Sequence, residues 1–542
     1  MKSYKIITSI TLGLAGLLIS ACASFDDINT NPNRPTEALT PAILTQVQRN
    51  IAYNYFDSWQ GLRMNGVIGQ QWVQRVYTEE DRYSFTARTG TVANFFNYTY
   101  TYTELANQII SINENTPEIA GVYGDNKLQI ASVRILRAWL IFQNAETFGD
   151  VPYTETNDIF VNPTPKYETQ EFIYKDLIRE LKEINATLQG VTKGWTSGDI
   201  LFGGSPEKWR RFANTIRLMI AMRMSNVEPA FSATEADAAI ADGVMRDNGD
   251  NAVFKFNGMG VPNESSKYST FSSRMDFLPS WQFVNLLHGR DDDNIGFKNP
   301  FSGIIDPRFV QFVQSPADQL AGLTPRVGAI PIGLINADNS SVWNYVLSTA
   351  TRITYGPTSG RADNILPKPV QAAFWSTLMD FPNVAFFISE RQGNNRDFFE
   401  KGVQASLSIW GVPDGDAEAY LTAVMAKFDA ANAEVKFEMI ITQKYIHNFA
   451  HFDQESVFEY RRTEYPKSVV VPGQQSGNTY TINGQDRTFI FTPMDGSKIF
   501  LQRMLYPPTE YNFNRENLNN AIKSMGGDTQ DIPLYYSKKY KK

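Results

Sequence analysis

Apolar residues recur every three or four positions through most of the first half of the chain. Each run forms one apolar stripe on a helix with 3.6 residues per turn. Because the stripes follow one another with short connections, they predict antiparallel helix pairs stacked side by side, as in an α-solenoid of the tetratricopeptide kind. The clearest stripes are Phe95, Tyr98, Tyr102, Leu105, Ile109 and Ile112; Leu128, Ala131, Ile135, Ala138 and Phe142; Ile173, Leu177, Leu181, Ile184 and Leu188; and Trp209, Phe212, Ile216 and Ile220.

Residues with capping chemistry stand at the ends of these stripes. Thr169 and Ser205 precede the third and fourth stripes, where a hydroxyl oxygen can accept a hydrogen bond from the first turn. Gly149 follows the second stripe and is typical of a helix end. A shorter helix is predicted to start at Thr234, with Asp237 three positions later as an imperfect capping box. Three tryptophans within helical stripes are assigned to the core: Trp139, Trp209 and Trp410.

The periodicity changes between about residues 255 and 369. Gly, Pro, Asn, Asp and Ser become dense there, which predicts a large, irregular, loop-rich insert, and such an insert inside a compact protein is usually functional. Asn483-Gly484 lies between two β-prone runs and predicts a hairpin. Helical patterns return after the insert, at about Val370–Trp375, Arg396–Trp410, Asp416–Asn432 and Glu434–Phe452.

The predicted fold class is therefore mainly α. We expect an α-solenoid of tetratricopeptide-like helix pairs that carries the large loop-rich insert and a small β-hairpin element. Nothing in the composition marks a flexible linker between domains, so residues 41–542 are interpreted as a single domain. Its helical scaffold is expected to cover about residues 41–254 and 370–465, with the insert between them.

The first residues have the pattern of a lipoprotein export signal. A short basic segment precedes an apolar run at residues 6–19, and Cys22, the one cysteine of the chain, follows two small residues. This order predicts a signal peptide at residues 1–21, lipidation of Cys22, and a lipidated tether at residues 22–40. The apolar run is shorter than the roughly 20 residues that a membrane-spanning helix needs.

The composition narrows the range of partners. The formal net charge is −7, with 50 basic and 57 acidic side chains, which makes nucleic acid an unfavourable partner. Aromatic residues make up 13% of the chain, and many stand beside Asn, Gly, Ser or Thr. Since a sugar ring has an apolar face and a polar rim, this pairing slightly favours carbohydrate binding over the alternative that the rings only fill a large core.

A series of segments, in order, resembles the SusD/RagB family of nutrient-binding outer-membrane lipoproteins. The segment at 386–397 departs from the more Ala-rich helix that is usual there, and the ending "PLYYSKK" has tyrosines where tryptophan is common. The segments that carry the resemblance are "INTNPNRPT" (28–36), "FGDVPYTET" (148–156), "YETQEFIYKDLIRELKEI" (167–184), "GDILFGGSPEKWRRFANTIRLMIAMRMS" (198–225), "DPR" (306–308), "FFEKGVQASLSIWGV" (398–412), "IITQKYI" (440–446), "FEYRRTEYP" (458–466), "LQRMLYPPTEYNFNRENLNNAI" (501–522) and "GGD" (526–528).

The resemblance implies a helical, tetratricopeptide-containing lipoprotein that is anchored in the outer membrane and faces the cell exterior. It also implies a partner, a SusC-like TonB-dependent β-barrel transporter over which the lipoprotein sits as a lid. Such proteins capture glycans and perform no chemistry on them. A peptide-capturing lid of the same architecture is the first alternative, and a lipid-anchored glycoside hydrolase is the second.

The sequence offers two candidate metal-binding patterns and no recognisable catalytic motif. His447 and His451 have the spacing of metal ligands on one helix face, but Asn448 stands where a zinc protease needs its glutamate. We interpret the two histidines as polar residues near a helix end. The acidic run at 291–294 favours a solvated turn and leaves an irregular calcium site open. No cofactor, no metal and no catalysis are predicted.

Two regions offer aromatic rings next to amide or guanidinium groups. One is the stretch 70–85, where apolar periodicity lapses, and the other is the loop-rich insert. We expect Trp343→Ala to weaken ligand binding by roughly 1–3 kcal/mol, the scale of a lost aromatic anchor. The predicted ligand-binding residues are Trp72, Arg75, Tyr77, Arg82, Tyr83, Trp281, Trp343, Asn344 and Tyr345.

Overall fold

The computed structural model describes residues 39–156, 161–258, 260, 263–271, 276–315, 329–349 and 366–541. The predicted signal peptide and the lipidation site Cys22 lie outside these ranges. Within them, helices dominate and the strands are short. The prediction of a mainly α fold with tetratricopeptide-like helix pairs is confirmed.

The helices of the first half stack in chain order. α1 packs on α2, α2 on α4, and each later helix on its predecessor, so every layer contacts its nearest neighbours, as in a solenoid. A π-helix at Ser58–Gly66 connects α1 to the segment that leads into α2. The helices are α1 (Thr40–Asn54), α2 (Thr89–Asn115), α3 (Pro117–Ala120), α4 (Asn126–Phe148), α5 (Gln170–Leu188), α6 (Pro206–Arg223) and α7 (Pro229–Asp242).

Most of the predicted helix ends are confirmed. The hydroxyl of Thr169 accepts a hydrogen bond from the backbone N–H of Phe172 at 3.2 Å, and α5 begins there. Ser205 caps α6 in the same way, and α4 ends at Gly149. The predicted start at Thr234 is wrong: α7 begins five residues earlier, because Pro229 supplies the favoured first position.

Helices also occur within the loop-rich insert, and they dominate again after it. The predicted helix at Val370–Trp375 is wrong, because this segment leads into a β-strand. The insert contains α8 (Ser266–Thr270), α9 (Trp281–Leu287), α10 (Arg308–Val313) and α11 (Asn336–Thr349), and the later part contains α12 (Phe381–Arg391), α13 (Arg396–Trp410), α14 (Asp414–Ala430), α15 (Ala433–His447), α16 (Asp453–Thr463), α17 (Pro508–Phe513) and α18 (Arg515–Met525).

The described strands form antiparallel two-stranded sheets. In three of these sheets the two paired strands are not connected by a tight hairpin turn. The predicted hairpin is confirmed, with Asn483 and Gly484 both at positive φ, as a tight two-residue turn requires. The paired strands are β1 (Trp72–Gln74) with β5 (Phe277–Pro279), β2 (Val151–Pro152) with β3 (Tyr167–Glu168), β4 (Ala252–Lys255) with β6 (Trp375–Met379), and β7 (Tyr480–Ile482) with β8 (Gln485–Arg487).

One large apolar core joins the two helical parts. Trp139, Trp209 and Trp410 have no exposed surface, so their assignment to the core is confirmed. Trp139 on α4 donates its indole N–H to the carbonyl of Leu378 on β6 at 3.0 Å. This bond ties the first helical stack to a strand that is 239 positions away in sequence.

A buried network of charged side chains crosses the same interface. Arg223 at the end of α6 contacts Glu146 of α4 at 2.9 Å and also pairs with Glu455 and Glu459 of α16. Lys444 of α15 lies 2.6 Å from Glu455. Removing charges from water is expensive, so each buried carboxylate here needs its cation. The network therefore holds α4, α6, α15 and α16 in one arrangement.

Candidate functional site

The first part of the site is the π-helix at Ser58–Gly66. The Asp57 carboxylate accepts hydrogen bonds from the backbone N–H groups of Trp59, at 2.8 Å, and Gln60, at 2.9 Å, and so caps this helix. Trp59 in its first turn is 44% exposed, which leaves a ring face open to solvent. The guanidinium of Arg63, one turn later, lies 4.8 Å from the Trp59 ring centroid.

A buried carboxylate fixes two arginines of the site. Glu80 lies 2.9 Å from Arg63 and 3.4 Å from Arg88, and it accepts a hydrogen bond from the Gln74 amide. Burial raises the pKa of Glu80, and the charge of Arg63 opposes that rise. One shared acidic partner therefore holds the buried Arg63 guanidinium and the half-buried Arg88 guanidinium in place.

These two arginines meet at a single tyrosine ring. The guanidinium of Arg63 lies 5.2 Å from the Tyr77 ring centroid, and that of Arg88 lies 5.1 Å from it. Both distances are in the range of cation–π attraction. Tyr77 itself is half-buried. Its ring is thus positioned by two cations, each of which also carries N–H donors suited to hydroxyl or carbonyl oxygens.

The same segment packs on α11 of the insert. Thr78 donates to the Asn336 side chain at 3.0 Å, and Asn339 donates to the Gln74 carbonyl at 2.8 Å. Trp343 follows one turn later, and the Arg75 guanidinium lies 5.8 Å from its ring centroid. The structure thereby brings together the two sequence regions from which a binding site was expected.

We call this arrangement the Tyr77 surface. It offers aromatic rings of unequal exposure and several guanidinium groups side by side. Rings of this kind can cover the apolar face of a sugar, while the arginines can donate to its hydroxyl groups. Its members are Trp59, Arg63, Arg75, Tyr77, Arg88 and Trp343.

Two residues of the predicted set are almost completely buried, so the expectation of exposed rings there is wrong. Trp72 has no exposed surface and stacks on Phe449 with ring centroids 4.6 Å apart. Its ring fits because position 66 is glycine: a Cβ on Gly66 would lie 2.7 Å from it. Tyr83 is 1% exposed and packs edge-to-face on Phe491. Neither ring presents a face to a ligand in this structure.

The other predicted residues have mixed placements. Trp343 is 8% exposed and belongs to the buried apolar core, so the expectation of an exposed ring is wrong there too. Asn344 is exposed beside it on α11, and Tyr345 lies in the same helix with a side chain outside the described part. Arg82 and Trp281 are half-buried. The binding role of these residues, like that of Arg75 and Tyr77, stays a prediction.

Three members of the Tyr77 surface were not expected from the sequence: Trp59, Arg63 and Arg88. The sequence does contain a pattern from which Trp59 could be found. Trp59 directly follows Asp57-Ser58, a sequence typical of a helix start. A tryptophan in a first turn, outside any apolar stripe, is a candidate for exposure. Arg63 and Arg88 carry no such pattern, since Glu80 brings them together only in the folded chain.

The two spaced histidines are buried in a hydrogen-bonded group. His447 pairs with Asp380 through Nε2 at 2.8 Å and with Ser406 through Nδ1 at 2.9 Å. His451 pairs with the His447 carbonyl through Nε2 at 2.7 Å and with Thr377 through Nδ1 at 2.9 Å. Among the described residues, Asp380, His447 and His451 are the one group close enough to hold a metal ion. A metal would have to displace these hydrogen bonds.

Burial makes His451 sensitive to acid. Burial, together with the nearby His447, lowers the pKa of His451 to about 3. The unfolded chain binds the proton near pH 6.5, so the stabilising contribution is complete above that pH and is lost as the pH falls towards 3. For His451→Gln we expect a shallower fall of the unfolding free energy between pH 7 and 5, by about 2 kcal/mol. Urea denaturation at both pH values measures this, and equal slopes for variant and parent would contradict it.

The acidic turn at 291–294 contacts a lysine. The Lys298 ammonium lies 2.5 Å from Asp293 and 3.3 Å from Asp291. The backbone groups of Asp292 and Phe297 bond to each other across the turn. Two of the three carboxylates of this turn therefore contact a cation supplied by the chain itself, and the third, Asp292, accepts a hydrogen bond from the Asn294 backbone N–H.

The comparisons with known proteins agree with this architecture. A SusD-like family model, described as "Starch-binding associating with outer membrane", matches residues 32–482. The chain belongs to this SusD-like family. The resemblance inferred from the sequence is thus confirmed, and the family is one associated with the outer membrane. A search of curated proteins finds no match.

Solved structures of SusD homologues share the fold. A homologue from Parabacteroides distasonis superposes with a TM-score of 0.71 at 20% identity and covers 92% of this chain and 98% of its own. A chitin-binding homologue from Flavobacterium johnsoniae has a TM-score of 0.66 at 19% identity, with 92% and 98% coverage. At these identities the likeness concerns the fold alone. In the described part of this SusD-like chain, no helix combines the length and apolar character needed to span a bilayer.

Proposed function

We propose that this SusD-like protein captures glycans at the Tyr77 surface and performs no chemistry on them. The observation that carries the proposal is the exposed Trp59 ring beside Tyr77, with guanidinium groups within 5.2 Å of both ring centroids. This combination provides apolar faces and hydrogen-bond donors in one place. The family's description as starch-binding and the chitin-binding homologue support a saccharide as the ligand class.

The proposal includes a location and a partner. The Cys22 motif supports a lipid anchor in the outer membrane, with the protein facing the cell exterior. Membership of the SusD-like family supports a SusC-like TonB-dependent transporter as the protein that receives the glycan. Co-purification of a large β-barrel protein in mild detergent tests the partnership, and mass spectrometry of the mature amino terminus tests the anchor.

Calorimetry against a ligand panel tests the function. The panel contains chitin oligosaccharides, malto-oligosaccharides, plant and algal polysaccharides, and a peptide digest. We expect binding of at least one saccharide and no turnover of any panel member. Binding of the digest alone would support the peptide-capturing alternative, and release of shorter products would support a lipid-anchored hydrolase.

Trp59→Ala is expected to weaken binding of the best saccharide by about 1–3 kcal/mol, because the most exposed ring of the surface is lost. Phe513→Ala is the matched control, since Phe513 is an aromatic residue that is 75% exposed on α17 and outside the Tyr77 surface. Calorimetry on both variants measures the difference. An equal effect of the two substitutions would remove Trp59 from the site.

A further inference from the structure

A second concave surface lies next to the carboxyl end of α16. This cleft has a volume of about 580 Å³, within the size range of small-molecule sites. Phe297, Tyr460 and Phe500 line it as largely buried aromatic side chains, and the rings of Tyr460 and Phe500 have centroids 4.4 Å apart. Gln474 and Gln502 add amide groups to the lining. The cleft therefore has the mixed apolar and polar lining of a ligand site.

Positive charge is concentrated in this cleft. Arg461, Lys467, Lys498 and Lys539 line it together with one carboxylate, Glu464, which leaves a formal charge of +3. The whole chain has a net charge of −7, so the cleft is positively charged although the protein as a whole is negatively charged. Low-dielectric walls focus such a field on any charged group inside the cleft.

Only one of the four basic residues of this cleft, Lys539, forms an ion pair within the described part of the chain. Lys539 pairs with Glu464 at 2.6 Å, but among the described residues no carboxylate forms an ion pair with Arg461, Lys467 or Lys498. The ammonium of Lys467 lies over the Tyr465 ring, 4.4 Å from its centroid. The Glu438 carboxylate accepts a hydrogen bond from the Lys467 backbone N–H, and the positive charge of Lys467 opposes the rise of its pKa that burial causes, so Lys467 has an acidic neighbour although the two form no ion pair. Lys498 is exposed and forms no ion pair within the described residues.

The buried arginine gives the cleft a fixed donor. Arg461 is 3% exposed, and it donates to the carbonyl of Leu501 at 3.1 Å and to that of Glu146 at 3.0 Å. It also donates to the Tyr536 hydroxyl at 3.4 Å. These three acceptors are neutral, so they orient the guanidinium without forming an ion pair with it. Lys467 and Lys498 are exposed and can adjust to a ligand around this fixed group.

We propose that this cleft, which we call the Arg461 cleft, binds the carboxylate or sulfate groups of an acidic saccharide. The apolar part of the lining would contact the sugar ring, and the exposed Lys467 and Lys498 would pair with its anionic substituents. The concave shape and the volume fit a short oligosaccharide better than the flat contact that a folded protein partner makes. The Arg461 cleft shares no residue with the Tyr77 surface, so this inference does not depend on the proposed function.

Calorimetry with three tetrasaccharides tests the inference on the purified chain: an oligogalacturonide, its fully methyl-esterified neutral form, and a sulfated oligosaccharide. We expect at least one anionic form to bind and the methyl ester to bind more weakly. Lys467→Gln/Lys498→Gln should weaken the anionic ligand by about fivefold or more. Lys401→Gln/Lys523→Gln is the matched control, because it removes the same charge from two exposed lysines elsewhere.

Several results would overturn the inference. These are no binding of either anionic form, equal affinity of the methyl ester, and an unchanged affinity in the cleft variant. Equal binding of inorganic sulfate, or of a tetraglutamate peptide, would show that the saccharide ring is not recognised. A loss of affinity in Trp59→Ala but not in the cleft variant would assign the ligand to the Tyr77 surface instead. If no member of the glycan panel binds at the Tyr77 surface, the results with the anionic tetrasaccharides can still be interpreted by themselves.

Discussion

Arg223→Met is expected to lower the free energy of unfolding by about 3–5 kcal/mol, the usual result of removing one partner from a buried ion pair. Arg223 has no exposed surface and pairs with three carboxylates. Glu455 and Glu459 keep Lys444 as a partner, but Glu146 keeps only a hydrogen bond from the Tyr174 hydroxyl at 3.1 Å. The loss should therefore arise mainly at Glu146. Urea denaturation followed by circular dichroism measures it.

The pH dependence of Arg223→Met identifies that cause. Burial already raises the pKa of Glu146 to about 7 in the intact network, and Arg223 limits the rise. Without Arg223 the carboxyl should stay protonated in the folded chain, while in the unfolded chain it ionises above about pH 4.3. The stability deficit should thus grow as the pH rises from 5.5 to 8. A deficit that is constant over this range would exclude Glu146 as its source.

Two further variants show whether the loss of stability in Arg223→Met comes from the missing charge or from altered packing. Arg179→Met removes an exposed arginine that pairs with Asp176 and Glu183 on α5, and it should cost less than about 1 kcal/mol. Glu146→Gln combined with Arg223→Met should recover part of the loss, because no buried charge is then left without a partner at that position. A double variant as unstable as the sum of both single variants would contradict the account.

The helical scaffold was predictable because its determinants are local. The stripes and the caps at Thr169 and Ser205 lie within single helices, and the structure has α5 and α6 where these residues place them. Strand β6 was missed for the opposite reason. Its pairing partner β4 lies about 120 residues earlier in the chain, so nothing in the local pattern distinguishes it from a short helix.

The burial of the stretch 70–74 could not be predicted from its polarity. Gln70 exchanges two hydrogen bonds with the backbone of Val470, and Gln71 donates to the Tyr445 carbonyl at 2.6 Å. These partners lie about 400 residues away in sequence and satisfy amides that the sequence alone would place in solvent. The same distant contacts carry Trp72 into the core. A lapse of apolar periodicity thus marks either a surface or a buried polar strand.

The segments that carry the family resemblance meet in the charge network. Arg223 belongs to the stretch 198–225, and Glu459 belongs to the stretch 458–466. Their contact joins the end of α6 to α16 across more than 230 positions. The most recognisable parts of the sequence therefore explain how the scaffold is held together, whereas the Tyr77 surface depends on loops and on the insert.

Trp343→Ala is expected to weaken binding of the saccharide ligand by roughly 1–3 kcal/mol. The Arg75 guanidinium lies over this ring, so the substitution removes both the aromatic ring and the support that it gives to a cationic donor. Because Trp343 is 8% exposed, the free energy of unfolding should also fall, by about 3–5 kcal/mol. Calorimetry measures the first effect and urea denaturation the second.

Trp343→Phe separates the two effects. A phenyl ring keeps an aromatic face beneath Arg75 and fills most of the space, so this variant should retain more stability than Trp343→Ala and bind with intermediate affinity. Both variants are measured at a temperature where near-UV circular dichroism shows a folded chain. If Trp343→Ala is folded there and its affinity equals that of the parent, Trp343 is only a core residue, and the ligand must contact the exposed side of the Tyr77 surface through Trp59 and Tyr77.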